Sequence, residues 1–247
     1  MAIKRVGKTS YPQLPPAPDD YPTFPDKSSW PVVFPELPPK TNGAFSRPPQ
    51  HTSKESAPLI PEGQVPDRVI LLRQGFVKVV AAGTDGQEVV LAFRGPGALL
   101  GEQALVDGAP RAAGVITVEP VDMLVVAAST FRQYLDERPR ICMALVALLS
   151  RRLRDSDRRL VQFATSDTLG RVASRLVQLC DEHGSPDGGG GIHIELPLTQ
   201  EDLAGWTGAS LEATVRALRQ MRDLHWLTTG RRSITVQDVD ALRQRAG

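Results

Sequence analysis

The chain has 247 residues, with 29 Lys and Arg against 28 Asp and Glu, so its formal net charge is +1. That length gives one or two domains with a proper core, and so balanced a charge gives no global field to draw nucleic acid or a membrane surface. The chain holds two cysteines, Cys142 and Cys180, and its four histidines (His51, His183, His193, His225) lack ligand spacing, so neither a cystine framework nor a zinc site is expected.

Fifteen of the 21 prolines fall in the first 66 residues. Such a stretch forms neither helix nor central strand, and residues 1–56 are expected to be an extended, disordered arm. Tyr11, Tyr21, Phe24, Trp30, Phe34 and Phe45 are scattered along it. Met1 to Arg5 is followed by no apolar run of the kind a secretory signal needs, and no run reaches the ~18 residues that span a bilayer. A cytoplasmic protein without a membrane partner is expected.

From Leu59 short strands alternate with turns. Pro61-Glu62-Gly63 is a turn, and Arg68–Leu72 and Phe76–Ala81 are strands around Gly75. Gly83-Thr84-Asp85-Gly86 turns the next hairpin, Glu88–Phe93 returns, and Gly95-Pro96-Gly97 breaks the strand. Gly114–Val118 and Met123–Ala127 complete the series, whose regular spacing suggests a β-roll or jelly roll. The expected fold class is therefore α+β, with this roll over residues 57–138.

Inside the roll, Gly-Glu-Gln-Ala-Leu-Val-Asp-Gly-Ala-Pro-Arg-Ala-Ala runs from Gly101 to Ala113. The backbone N–H groups of a helix starting after Gly101 could face the phosphate of a cyclic nucleotide. Arg111 could clamp the same phosphate with its planar fork. Glu102 could accept a hydrogen bond from the ribose 2′-OH, and Gln103, Ala112 and Ala113 complete the candidate set, the two alanines letting the backbone approach closely. The other reading makes Glu102 and Arg111 a structural ion pair in a domain without ligand.

Ser129 opens a helical region, and Pro139 starts a long helix expected over 139–164. Cys142, Val146, Leu149, Leu153, Ser156, Leu160 and Phe163 follow the 4,3 spacing of a coiled-coil seam. A dimer seam is the preferred reading and packing on the chain's own roll the alternative, and both can hold for different faces of the helix. After a hinge at Thr165–Gly170, Leu169, Val172, Leu176, Val177 and Cys180 share one face of a helix ending at Gly184. Both cysteines thus lie in helical apolar patterns and read as buried thiols of a reducing compartment. Ser185 to Gly191 reads as a flexible loop.

Thr199 caps a short helix through Trp206, with acidic Asp202 at the third helical position; Gly208 turns; Ser210 caps a second helix to about Asp223. This is helix-turn-helix spacing, followed by a hairpin wing over His225–Val236. Between Ala213 and Arg232 stand Arg216, Arg219, Arg222, Arg231 and Arg232 against Asp223 alone, a local excess suited to DNA. The second helix would enter the major groove, with Ser210, Leu211, Glu212 and Arg216 as readers; Arg216 suits guanine and Glu212 suits cytosine N4. Thr199, Gln200, Arg231 and Arg232 are placed for phosphates. Arg219 and Arg222 read as solvated surface charge.

Residues 59–247 resemble the cyclic-AMP receptor protein/FNR (Crp/Fnr) family of bacterial transcription regulators. The cassette carries both charged anchors, and Thr199-Gln200-Glu201-Asp202-Leu203-Ala204 through Gly208-Ala209-Ser210-Leu211-Glu212-Ala213-Thr214-Val215-Arg216 follows the family's helix-turn-helix without gaps. The resemblance implies a winged helix-turn-helix over 165–247, a homodimer joined by the long helix, and cyclic AMP as allosteric ligand beside the seam. It further implies a palindromic operator in double-stranded DNA and RNA polymerase as a partner. Ser156 and Asp157 fall where the family places hydroxyls that touch adenine, and Leu211 replaces a base-contacting arginine. A regulator of the same architecture answering another signal, or none, is the alternative. Two cysteines are too few for an iron–sulphur cluster, and no nucleophile–base pair or nucleotide-hydrolysis motif suggests an enzyme.

Overall fold

The computed structural model describes residues 57–83, 88–195, 198–230 and 232–247. The expected arm over 1–56, the hairpin turn at Thr84–Gly86 and Arg231 lie outside the described residues. Seven strands build the first unit. β1 (Pro58–Ile60), β3 (Val77–Ala82), β4 (Glu88–Arg94) and β6 (Gly114–Thr117) form one antiparallel sheet in the order β1-β6-β3-β4. β2 (Arg68–Gln74), β5 (Leu99–Leu100) and β7 (Asp122–Ala127) form a second, in the order β5-β2-β7. A short helix α1 (Glu102–Asp107) follows β5. The expected strands are all present; β1 and β5, at three and two residues, are too short to leave a period in the sequence.

The alternation along β2 explains the layering, because successive side chains in a strand point to opposite faces. Ile70 and Leu72 pack between the two sheets with Val77, Leu100, Val115 and Met123. Val69 points the other way, into a cluster with Leu105, Val126, Phe131 and Leu145. That second cluster is closed by α2 (Ala128–Asp136) and α3 (Pro139–Thr165). Proline at the first position of α3 lacks only an N–H that would be unpaired there anyway.

The expected seam of α3 divides between two faces. Val146, Leu153 and Leu160, seven residues apart, are 53, 63 and 68% exposed, with Met143 beside them. Leu149 instead packs on the small sheet's cluster, and Cys142 donates its thiol hydrogen to the Leu135 carbonyl at 3.3 Å. Ser156 turns toward the roll as well. The long helix serves its own roll with one stripe and leaves another stripe open.

The second unit comprises α4 (Thr168–His183), β8 (Gly184–Pro186), β9 (Ile192–Glu195), α5 (Gln200–Thr207), α6 (Leu211–Asp223), β10 (Leu227–Gly230), β11 (Ser233–Val236) and α7 (Val239–Ala246). Its sheet runs β10-β11-β9-β8. The stretch from Ser185 expected to be loop therefore begins as a strand: Ser185 pairs with His193 and Pro186 with Ile192. An edge strand needs no donor on its open side, so Pro186 is tolerated there. α7 answers to no expected element; Leu242 is fully enclosed, and Val239 and Ala246 pack half-buried against the same core.

A single apolar cluster runs from the outer face of the large sheet (Val80, Val90, Phe93, Val118) into the second unit (Val172, Leu176, Trp206, Leu218, Met221). Phe93 and Trp206 meet edge to face with centroids 5.0 Å apart. At the margin of this contact Lys78 on β3 bonds Asp202 of α5 at 3.0 Å and Glu88 at 2.6 Å. Burial acts to lower the pKa of Lys78, but these two carboxylates outweigh it and hold the ammonium above its ordinary value. Cys180 is buried, and burial pushes its thiol up to about 11. Among the described residues no helix is long and apolar enough to cross a membrane.

Candidate functional site

The cassette is set by one glycine. Gly101 caps α1 with φ at 80°, a left-handed conformation that costs glycine nothing. A Cβ there would run into the Arg111 guanidinium, so the backbone and that side chain could not lie together with any other residue. Arg111 donates through Nη1 to the Gly101 carbonyl and through Nη2 to the Arg68 carbonyl, with Asp67 3.6 Å away. Its side chain is 3% exposed. Burial lowers its pKa, and Asp67 offsets part of that.

Glu102 is 2% exposed and does not pair with Arg111. Its Oε1 accepts a hydrogen bond from Nη1 of Arg152 on α3, while Arg152 Nη2 donates to the Leu99 carbonyl at 2.8 Å. The other carboxylate oxygen, Oε2, is buried without a hydrogen-bond partner. A buried anionic oxygen left open is costly unless a donor arrives.

Gly101, Glu102, Gln103, Arg111, Ala112 and Ala113 line one cavity of about 210 Å³, together with Ser156, Arg152 and Arg159. Ser156 donates to the Arg152 carbonyl at 3.0 Å and accepts from Arg159 at 2.9 Å. Arg152 and Arg159 are absent from the expected set, although Arg152 lies four residues before Ser156 and so on the same helix face. Asp157 is exposed, on the side of Leu153 and Leu160, and does not line this cavity. One residue along a helix turns the side chain by about 100°, enough to carry Asp157 away from a pocket that Ser156 lines.

In the second unit Thr199 accepts from the Asp202 amide at 3.0 Å, and Asp202 accepts in return from the Thr199 amide at 3.2 Å. This capping box fixes the start of α5. The Thr199 hydroxyl also donates to Asp202 at 2.9 Å. Gln200, next to it, is exposed. Gly208, left-handed at φ 59°, makes the turn between α5 and α6. Ser210 then caps α6 by accepting from the Ala213 amide at 3.2 Å.

Thr214, Ala217, Leu218 and Met221 are the buried side of α6. Leu211, Glu212 and Arg216 stand on its exposed side, with Arg216 and Glu212 3.9 Å apart and 72 and 88% exposed. Arg219 is exposed too, and Arg222 donates weakly to Thr229 of β10 at 3.4 Å. Arg232 sits with φ at 58° in the turn between β10 and β11.

Two family models match this chain: a cyclic nucleotide-binding domain over residues 51–138 and a Crp-like helix-turn-helix domain over 170–245. Among solved structures, FixK2 from Bradyrhizobium japonicum superposes with a TM-score of 0.71 at 20% identity, covering 78% of this chain and 94% of its own. That likeness speaks for the fold. The CRP-like cAMP-activated global transcriptional regulator of Mycobacterium tuberculosis is 32% identical over 185 residues, 75% of this chain and 82% of that protein. The chain belongs to the Crp/Fnr family. It is a DNA-binding transcription regulator of that type with a cyclic nucleotide-binding domain. This Crp/Fnr chain is also 72% identical over 71 residues, at its N-terminal end, to the isoprenyl transferase of Mycolicibacterium parafortuitum. The chain spans only 24% of that transferase, and the match covers 29% of this chain.

Proposed function

We propose that this regulator is a cytoplasmic homodimer, without catalytic activity, whose affinity for a palindromic operator is set by cyclic AMP. The observation that carries the ligand reading is the open Oε2 of Glu102, buried in the same cavity as Arg111. A ribose 2′-OH would give that oxygen its donor. The guanidinium of Arg111, the N–H groups after Gly101 and the backbone exposed by Ala112 and Ala113 suit the single negative charge of a cyclic phosphate. Gln103 borders the site, and Ser156 with Arg152 brings the long helix to it. Asp157 would reach a ligand only across the seam, from the second subunit.

In this reading residues 57–138 bind the nucleotide, 139–164 join the subunits, and 165–247 read DNA, with RNA polymerase as a further partner. Leu211, Glu212 and Arg216 face the bases from α6, the last two toward cytosine and guanine edges. Ser210 fixes where that helix enters the groove, and Gln200, Arg231 and Arg232 hold phosphates. The N-terminal likeness to a transferase assigns no transferase chemistry in this proposal.

Two results test it. Glu102→Ala is expected to weaken cyclic AMP binding by about 10- to 100-fold in isothermal titration, the equivalent of one hydrogen bond to a charged group at 1.5–3 kcal/mol. Equal binding by wild type and variant overturns the ligand assignment. A random-site library should yield a two-fold symmetric sequence whose enrichment depends on cyclic AMP. Arg216→Ala should then relax selectivity at one base position per half-site, by about 1–3 kcal/mol. Uniform weakening across all sequences would instead make Arg216 a phosphate contact.

A further inference from the structure

A second, larger cavity of about 370 Å³ lies where α3, α4 and β4 meet. Small-molecule sites commonly enclose about 300–1,000 Å³. Six arginines line it: Arg94 from β4, Arg151, Arg154, Arg158 and Arg159 from α3, and Arg175 from α4. Asp155, Asp181 and Glu182 share the lining, three carboxylates to six arginines, and Asp181 is engaged outside it. Asp155 pairs with Arg158, and Asp181 pairs with Arg243 of α7 at 3.2 Å.

The three innermost cations bond to neutral oxygens. Arg94 donates to the Phe93 carbonyl at 2.8 Å, Arg159 to the Leu91 carbonyl, and Arg175 to the Gln178 side chain at 3.1 Å. Arg175 is 5% exposed and its Nε has no hydrogen-bond partner. Guanidinium keeps its proton at any ordinary pH, so it cannot escape burial by neutralising. Burial presses Arg94 and Arg175 down to about 10, and the neighbouring Arg159 pushes both in the same direction. Arg175 is buried and Arg94 and Arg159 are half-buried beside it, and like charges so placed with fewer carboxylates than arginines in the lining are unfavourable as they stand. An anion entering it removes both the desolvation cost and the mutual repulsion.

We infer that this cavity is a second ligand site, for a compact polyanion carrying two or more phosphate groups. A single phosphate would meet one or two forks; the arginines are distributed over three elements, which favours a chain of phosphates. Gln162, Ser174 and Gln178 add neutral polar groups to the wall. Arg151, Arg158 and Gln162 lie on the side of α3 opposite Leu153 and Leu160 by the 3.6-residue period, so a subunit seated on that apolar stripe leaves the cavity open. Ala92, Arg94 and Arg159 line both cavities, which places the second ligand in contact with the wall of the first. It also bridges the long helix to the first helix of the DNA-binding unit.

Titration of the full-length protein with inorganic tripolyphosphate is expected to show one ion bound per chain. Arg154→Glu combined with Arg158→Glu should weaken it at least 10-fold. Both side chains are solvent-facing, so folding is not at stake. Arg216→Ala with Arg219→Ala, on the DNA-reading helix, should leave it unchanged. ATP and AMP separate the sources of the shared chemistry. ATP binding as tightly as tripolyphosphate identifies the phosphate chain alone, tighter ATP binding identifies a nucleoside polyphosphate, and AMP should bind at least 10-fold more weakly than either. The inference is overturned if tripolyphosphate does not bind, if the Arg154/Arg158 variant binds it normally, or if binding is lost in the Arg216/Arg219 variant.

Discussion

Replacing Trp206 by alanine is expected to lower the unfolding free energy by about 3–5 kcal/mol, the usual cost of removing a buried aromatic ring. Trp206 is 3% exposed and stands where two units share one core. Its loss removes the edge-to-face partner of Phe93 at 5.0 Å and the ring beneath the Arg175 guanidinium at 5.2 Å. The surroundings cannot collapse easily, because the sheet lies on one side and α4 and α6 on the other. Guanidinium unfolding, followed by tryptophan-independent far-UV circular dichroism, measures the change. Trp206→Phe should recover more than half of it by restoring most of the ring contact. A loss below about 1 kcal/mol for the alanine variant would mean that this junction is not packed as described.

The second large effect concerns α3. Leu153→Asp with Leu160→Asp puts two carboxylates into the open stripe, where the proposed dimer would bury them against their own copies. Neither side chain contributes to the cores within the chain, so the monomer should fold with unchanged circular dichroism. Sedimentation equilibrium should then report a single chain. A monomer holds only one half-site, and loss of the linked second contact should reduce affinity for a two-half-site operator by about 10²- to 10⁴-fold. Affinity for an isolated half-site should be little changed. Persistence of the dimer in this variant would refute the stripe as its interface.

Much of this molecule was legible in its sequence, wherever the determinant is local. Ser210 and Thr199 announce their helices because a cap is read from the cap residue and the next three positions. The cassette is contiguous, so the sequence alone assigns Glu102 and Arg111 to one site, and both line the same cavity. Contacts distant in sequence were not visible. Arg152 reaches Glu102 across 50 positions, and nothing near Arg152 distinguishes it from the other arginines of α3. Which residues of α3 serve which face is hidden for a related reason. A 4,3 spacing sums two neighbouring lines of side chains, and only the roll beneath decides that Leu149 and Ser156 turn inward while Leu153 and Leu160 do not. α7 and β8 escaped because each is short and draws its order from partners elsewhere in the chain. The Thr199 hydroxyl closes a cap, a role that the Asp three residues on announces.

The ring of Phe163, in the last turn of α3, lies against Gly208 so closely that a Cβ on that glycine would collide with it. Arg171 covers the same ring at 5.4 Å and donates to the Thr207 carbonyl at 2.9 Å. The far end of the long helix thus bears directly on the pivot between α5 and α6. Axial sliding of that helix would be delivered to the pivot as torque through the Phe163 ring.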